Sequence, residues 1–196
     1  MRRLMLVFAV MGCEAKPGQP PASTSSASPM VAAIRQATAC GDEVVGEEGI
    51  GQLRIGATVE SVRQRCRIVR DTTVQDAEGM PQRKVAVELS RDTVEAEIVS
   101  GRVWRIVVWS PRLRTVDSLG VGTDIVRLLR LKNPRGMAGE GAFFIASPEH
   151  CGMSFRLALA GDARYRGDLD KVGLARLPAS TVVSEVLVFG CHLGPQ

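Results

Sequence analysis

The sequence predicts an α+β protein of two tandem modules, each a short helix followed by a small antiparallel sheet. Three features predict it. First, a helix-start pattern occurs twice: Ile55, Gly56, Thr58, Val59 and Val62 return sixty-six residues later as Val121, Gly122, Asp124, Ile125 and Leu128. In each copy a β-branched residue precedes glycine, which permits a sharp exit from extended chain. Thr or Asp then stands where a side-chain oxygen caps a helix. Second, stretches of alternating apolar and polar residues follow each copy, the mark of strands with one wet face. Third, the order helix, strand, strand, strand holds in both halves, and a repeated order points to a repeated unit.

At 196 residues the chain suffices for one medium domain or two small ones. It begins with Met1, Arg2 and Arg3, then an apolar run over 4–11 too short to span a bilayer, then Gly12 and Cys13. Val10, Gly12 and Cys13 resemble the lipobox of bacterial lipoproteins, although Met11 stands where that family prefers a small residue. The resemblance implies removal of residues 1–12 as a signal peptide, acylation of Cys13 and attachment to a membrane through that lipid. Glu14 is not the aspartate associated with inner-membrane retention in enteric bacteria, which points to the outer membrane. Residues 13–29 include KPGQPPASTSSASP, a tract without periodicity that suits a disordered tether. Residues 30–52 are expected to hold a short helix on Val31 and Ile34, ended by Gly41, and then an acidic, glycine-punctuated loop over 42–51.

The first module is expected at 53–117. Its helix, over 58–66, sets Val59, Val62 and Cys66 on one face and Glu60 in the first turn, where the helix dipole favours an anion. Three strands follow: 84–89 alternating on Val85, Val87 and Leu89; 93–99 on Val94, Ala96 and Ile98; and 102–110 on Trp104, Ile106 and Val108. Ser90-Arg91-Asp92 and Ser100-Gly101 are hairpin-sized breaks. The second module is expected at 118–196. Its helix runs over 124–132 on Ile125, Leu128 and Leu129, and Asn133-Pro134 stops it. Residues 135–141 read as a glycine-rich loop. Strands are expected at 142–146, at 152–160 on Met153, Phe155, Leu157 and Leu159, and at 181–191. The charged segment 161–180 is too long for a quiet hairpin connection.

This arrangement resembles tandem modules of the BamE-like and β-lactamase-inhibitory-protein-like kind. There an aliphatic-Gly-x-Thr-x-x-x-Val helix start precedes a small antiparallel sheet. Residues 55–62 match that start position by position, and 121–128 match with Asp124 in the threonine place. The likeness spans 53–191 and implies an envelope-facing adaptor or inhibitor rather than a catalyst.

Five cysteines are odd for an exported chain. With Cys13 assigned to lipid, Cys40, Cys66, Cys151 and Cys191 remain for two disulfides in an oxidising compartment. Three connectivities are open; Cys40–Cys66 with Cys151–Cys191 keeps each bridge inside one module. His150 and His192 each flank a cysteine, which raises a two-Cys, two-His metal site. Neighbours on extended chain point to opposite faces, however, and the parities of Cys151 and Cys191 favour a disulfide over metal. No cofactor is expected.

Nor does a catalytic set emerge. Gly152-Met153-Ser154-Phe155-Arg156 lacks the second glycine of a nucleophile elbow, and neither Gly49-Ile50-Gly51 nor residues 136–141 form a dinucleotide fingerprint. The 25 basic side chains, 23 once Arg2 and Arg3 leave, are scattered among 21 acidic ones without a stripe, which argues against nucleic acid. The candidate binding residues are Trp109, of opposite parity to the core stripe, and Arg105, Arg112 and Arg114 near it, an aromatic-plus-arginine make-up found at interfaces. The sequence thus reads as a lipid-anchored envelope protein, non-catalytic, that binds a protein partner. A hydrolase using 161–180 as a lid, or a small metal-binding protein, are the alternatives.

Overall fold

Strands dominate the structure, a computed structural model that describes residues 40–76, 78–159 and 167–192. The signal peptide, Cys13, the tether and the helix expected before Cys40 lie outside the described residues. A small antiparallel sheet comes first: β1 (Val45–Gly46), β2 (Gly49–Ile50) and β3 (Leu53–Arg54). Helix α1 (Val59–Arg65) follows, then β4 (Arg67–Gln75), β5 (Pro81–Leu89), β6 (Asp92–Val99) and β7 (Arg102–Val108). Helix α2 (Ile125–Leu128) leads into β8 (Arg135–Gly139), β9 (Ala142–Ala146) and β10 (Met153–Leu157); α3 (Lys171–Leu174) and β11 (Val183–Val188) close the chain.

The eight longer strands form one antiparallel sheet in the order β4-β5-β6-β7-β11-β10-β9-β8. This corrects the expected pair of helix-plus-sheet modules. The two runs of strands are not separate sheets, because β7 and β11 pair directly: Val108 with Val186, Val107 with Leu187 and Ile106 with Val188. The helices are correspondingly minor. In α2 the closing bonds run from Arg130 to Arg127 and from Leu131 to Leu128, three residues back rather than four. Such tightening ends a helix, so it stops short of the expected 124–132.

What recurs is the helix start. Thr58 accepts from the Ser61 amide (3.2 Å) and Asp124 from the Arg127 amide (2.7 Å), so both caps form as the sequence requires. Gly56 and Gly122 occupy the left-handed region at φ 78° and 84°, where a side chain would be strained. The amides of Gly56 and Gly122 donate to Val103 and Val183, stitching each helix start to a strand of the large sheet.

Three further differences have local causes. β4 replaces unassigned chain; nearly all its residues are exposed, so no apolar alternation announces it. Residues 42–51, expected as loop, contain the β1–β2 pair. Residues 135–141, also expected as loop, contain β8, whose turn back to β9 uses Glu140 and Gly141 at φ 50° and 70°, the signs of a type I′ turn.

One face of the large sheet packs with α1, α2, α3 and the small sheet in a single apolar cluster. Val59, Val62, Ile125, Leu128, Leu174, Ile50 and Leu53 belong to it alongside Val85, Val94, Ile106 and Phe155. Trp104 does not join it. The register slips between Glu97 and Ile98, so Ile98 meets Val103 while Glu97 meets Arg105. Trp104 is the extra residue of that bulge; Val103 takes the buried place and Trp104 remains 43% exposed.

Both bridges are those that keep each pair local, Cys40–Cys66 and Cys151–Cys191. Cysteines so joined supply no thiolates, and the His-flanked metal site is thereby set aside. Of the 161–180 segment, residues 167–180 are described. Leu169 exchanges two backbone hydrogen bonds with Gly136, both 2.8 Å, and Leu174 and Leu177 are buried, so this part is docked on the fold.

Candidate functional site

The face of the sheet turned away from the main core carries the chemistry. Its first half is an ion-pair ladder. Glu95 and Glu97 lie on β6, opposite Ala86 and Lys84 on one side and Val107 and Arg105 on the other. Arg70 reaches Glu95 at 3.2 Å; Lys84 lies 2.9 Å from Glu95 and 3.6 Å from Glu97; Arg105 forks onto Glu97 at 2.7 and 3.0 Å and reaches Glu140 at 2.7 Å. Burial works against the charge of Lys84 and of Arg105, yet their carboxylate partners outweigh it and raise both pKa values. Arg105 is therefore a structural cation, its guanidinium committed within the chain.

Arg112 and Arg114 are also committed. Arg112 holds Asp92 through two hydrogen bonds of 2.9 and 2.7 Å, and this pairing depresses the carboxyl pKa of Asp92. Arg114 donates to the Pro111 carbonyl and to Thr123 Oγ1. The four sequence-predicted binding residues thus do not converge on one spot. Arg105 sits in mid-strand, Trp109 follows the end of β7, and the other two arginines pin the connection beyond it.

Trp109 is the one that remains available. It is 46% exposed, and its indole N–H donates to Glu185 Oε2 at 3.0 Å. Glu185 in turn receives Arg156 across the β10–β11 pair, at 3.5 Å. Trp109, Arg156, Ala158, Leu159, Ser184 and Glu185 line a groove of about 520 Å³. Sequence reading missed Glu185 and Arg156. The signal was present: each is the only charged residue in an otherwise uncharged strand, and opposite charges in facing strands tend to pair.

The second half of this face is apolar. Val107, Ala142, Phe144 and Leu187 form a cluster separate from the main core, with Met137 and Phe189 packed against it. Beyond it, past the ends of β8 and β10, opens a cavity of about 570 Å³ bordered by Arg135, Met137, Ser154, Phe189 and the Cys151–Cys191 bridge. The β1–β2 turn lies against that bridge. Glu47 Oε2 lies 3.3 Å from each sulfur, and Glu48 accepts the Cys191 amide at 3.0 Å. Nearby, His150 Nε2 meets Asp117 Oδ2 at 3.1 Å, its ring edge against Phe155, while the Thr115 hydroxyl donates to the same carboxylate. Burial raises the Asp117 pKa, but the Thr115 and His150 contacts prevail and lower it.

A larger cleft, about 840 Å³, lies between the end of α1 and β4. Its charges are matched within the chain, Arg63 and Arg83 on Asp71 and Arg67 on Glu88, so it offers a ligand little that is unspent.

No family model matches the chain, and no curated protein matches it. Among solved structures, the uncharacterized protein yfeY of Escherichia coli is similar in fold, with a TM-score of 0.53 and 16% identity over 74% of this chain and 98% of that one. At that identity the likeness is one of fold.

Proposed function

We propose that this chain is a lipid-anchored, non-catalytic module of the bacterial cell envelope that binds a protein partner at the Trp109 end of its outward sheet face. Supporting the compartment are two disulfides, which persist where the surroundings are oxidising, and the lipobox-like residues up to Cys13. The observation that carries the binding is the Trp109 indole: large, nearly half exposed, and held in one orientation by Glu185 above a groove with Leu159 and Ala158 at its wall. Tryptophan is among the residues enriched at interface anchors. An anchor already fixed before contact loses little rotamer freedom on binding.

The test is site-specific photo-crosslinking in cells. A photoreactive residue at Ala158, in the groove, is expected to trap a discrete envelope protein; one at Val172, an exposed position on α3, is not. Trp109→Ala in the Ala158 background should abolish the adduct while leaving the fold intact. An unchanged adduct removes Trp109 from the interface.

A further inference from the structure

The cavity at the far end of the outward face plays no part in that interface, and its lining has a chemistry of its own. At about 570 Å³ it falls within the range of small-molecule sites. One wall is apolar: Met137 and Phe189 border it and pack against the Phe144 and Leu187 cluster. The other is made of donors, Arg135 and Ser154, with no carboxylate in the lining. Three acids of the surrounding chain are engaged elsewhere: Glu48 accepts the Cys191 amide, Glu149 accepts the Lys132 amide, and Asp117 holds His150. Glu47 lies against the cystine, which has no hydrogen to donate to it.

Two polar groups in this wall are left over. The Arg135 guanidinium makes no ion pair or side-chain hydrogen bond with any described residue, in contrast to Arg63, Arg67, Arg70, Arg83, Arg105 and Arg112. Ser154 is the other: its hydroxyl has no partner among the described residues and opens onto the cavity, where it can donate to an acceptor placed there. The Arg135 guanidinium, two strands away in the same wall, selects an acceptor that is planar and anionic.

We propose that this cavity binds a single-chain amphiphile with a carboxylate head, the hydrocarbon lying on Met137 and Phe189 and the head held by Arg135 and Ser154. The apolar wall and the donors are both required: a plain anion leaves the former wet, and a neutral chain leaves the latter unpaired.

Isothermal titration calorimetry on the full chain tests it with three probes: decanoate, decanol and inorganic phosphate. Decanoate is expected to bind, with Arg135→Leu weakening it at least about tenfold, as loss of a charge-assisted contact does. Decanol is expected to bind more weakly and to be indifferent to Arg135→Leu. Because Arg135 is exposed and unpaired, that variant leaves the fold undisturbed, and Trp109-dependent crosslinking in it should be unchanged. Ser154→Ala, which removes only the hydroxyl, should weaken decanoate and spare decanol. Failure of decanoate to bind overturns the proposal, as does equal loss of both chain-bearing probes in Arg135→Leu. Phosphate binding as tightly as decanoate also overturns it, reducing the cavity to a simple anion site.

Discussion

Glu97 and Arg105 face each other across β6 and β7 as a two-point fork, Nε to Oε2 at 2.7 Å and Nη2 to Oε1 at 3.0 Å, with the carboxylate 3% exposed. A charge so enclosed depends on its partner far more than it adds to stability. Arg105→Met would leave Glu97 with Lys84 at 3.6 Å as its nearest cation. The expected cost is about 3 kcal/mol, read as a lower urea midpoint. Pairing it with Glu97→Leu should recover most of the loss, since no buried charge then remains. A double variant no more stable than Arg105→Met would show that the pair itself, rather than the orphaned carboxylate, carries the energy.

How far the sequence reveals this molecule depends on range along the chain. The caps at Thr58 and Asp124 act over three residues, and both are legible. So are β9, β10 and β11, where alternation such as Met153, Phe155 and Leu157 records a half-buried strand. Illegible are the features set by distant chain. The Val107–Leu187 pairing that fuses all eight strands leaves no local trace, and so two modules were expected where one sheet stands. β4 is an exposed edge and carries no burial pattern. The bulge that displaces Trp104 by one place is likewise invisible in simple parity. At the site, the outward parity of Trp109 was readable, while the commitment of Arg105 and Arg112 to Glu97 and Asp92 depends on cross-strand register.

The two disulfides should respond unequally to reductant. Cys40 and Cys66 are 0% and 1% exposed within the main core, whereas Cys151–Cys191 lies at the surface against the Glu47 turn. Thiol–disulfide exchange requires access to a sulfur. Native-state reduction with low dithiothreitol, followed by alkylation and mass mapping, is expected to label Cys151 and Cys191 first. Loop entropy alone ranks them the other way in stability, at about 3.5 kcal/mol for the loop of 26 and about 4 kcal/mol for the loop of 40. Simultaneous labelling of all four would mean that reduction proceeds through global unfolding.

Asp117 gives the fold an acid sensitivity of known sign. Its carboxyl pKa is lowered in the folded chain by Thr115 and His150 against the opposing effect of burial. The unfolded chain therefore binds more protons just below about pH 4, and stability rises with pH there. The contribution is complete above the unfolded value and is lost as pH falls through the depressed folded one. Asp117→Asn should flatten that limb in urea midpoints taken between about pH 5 and pH 2. With the side chain 45% exposed, the effect is modest and should shrink with added salt. A variant with the wild-type acid limb would assign the sensitivity to other carboxylates, such as Asp71 or Asp92.

Two glycines of β8 offer a paired test of what holds this edge strand to the core. A Cβ at Gly136 would lie 2.6 Å from the Phe143 ring and 2.7 Å from a Leu174 methyl, while one at Gly139 would meet nothing within 4 Å. Both contacted side chains are fully buried, with no room to withdraw. Gly136→Ala is therefore expected to cost about 1–3 kcal/mol through overpacking, and to disturb the Leu169–Gly136 backbone pairing that docks α3. Gly139→Ala, on the same strand and without a positive φ, should be neutral or stabilise slightly by restricting the unfolded chain. Urea unfolding of the two variants side by side separates the explanations. Equal losses would indicate a strand intolerant of any side chain, whereas a loss confined to Gly136 assigns the constraint to close packing against Phe143 and Leu174.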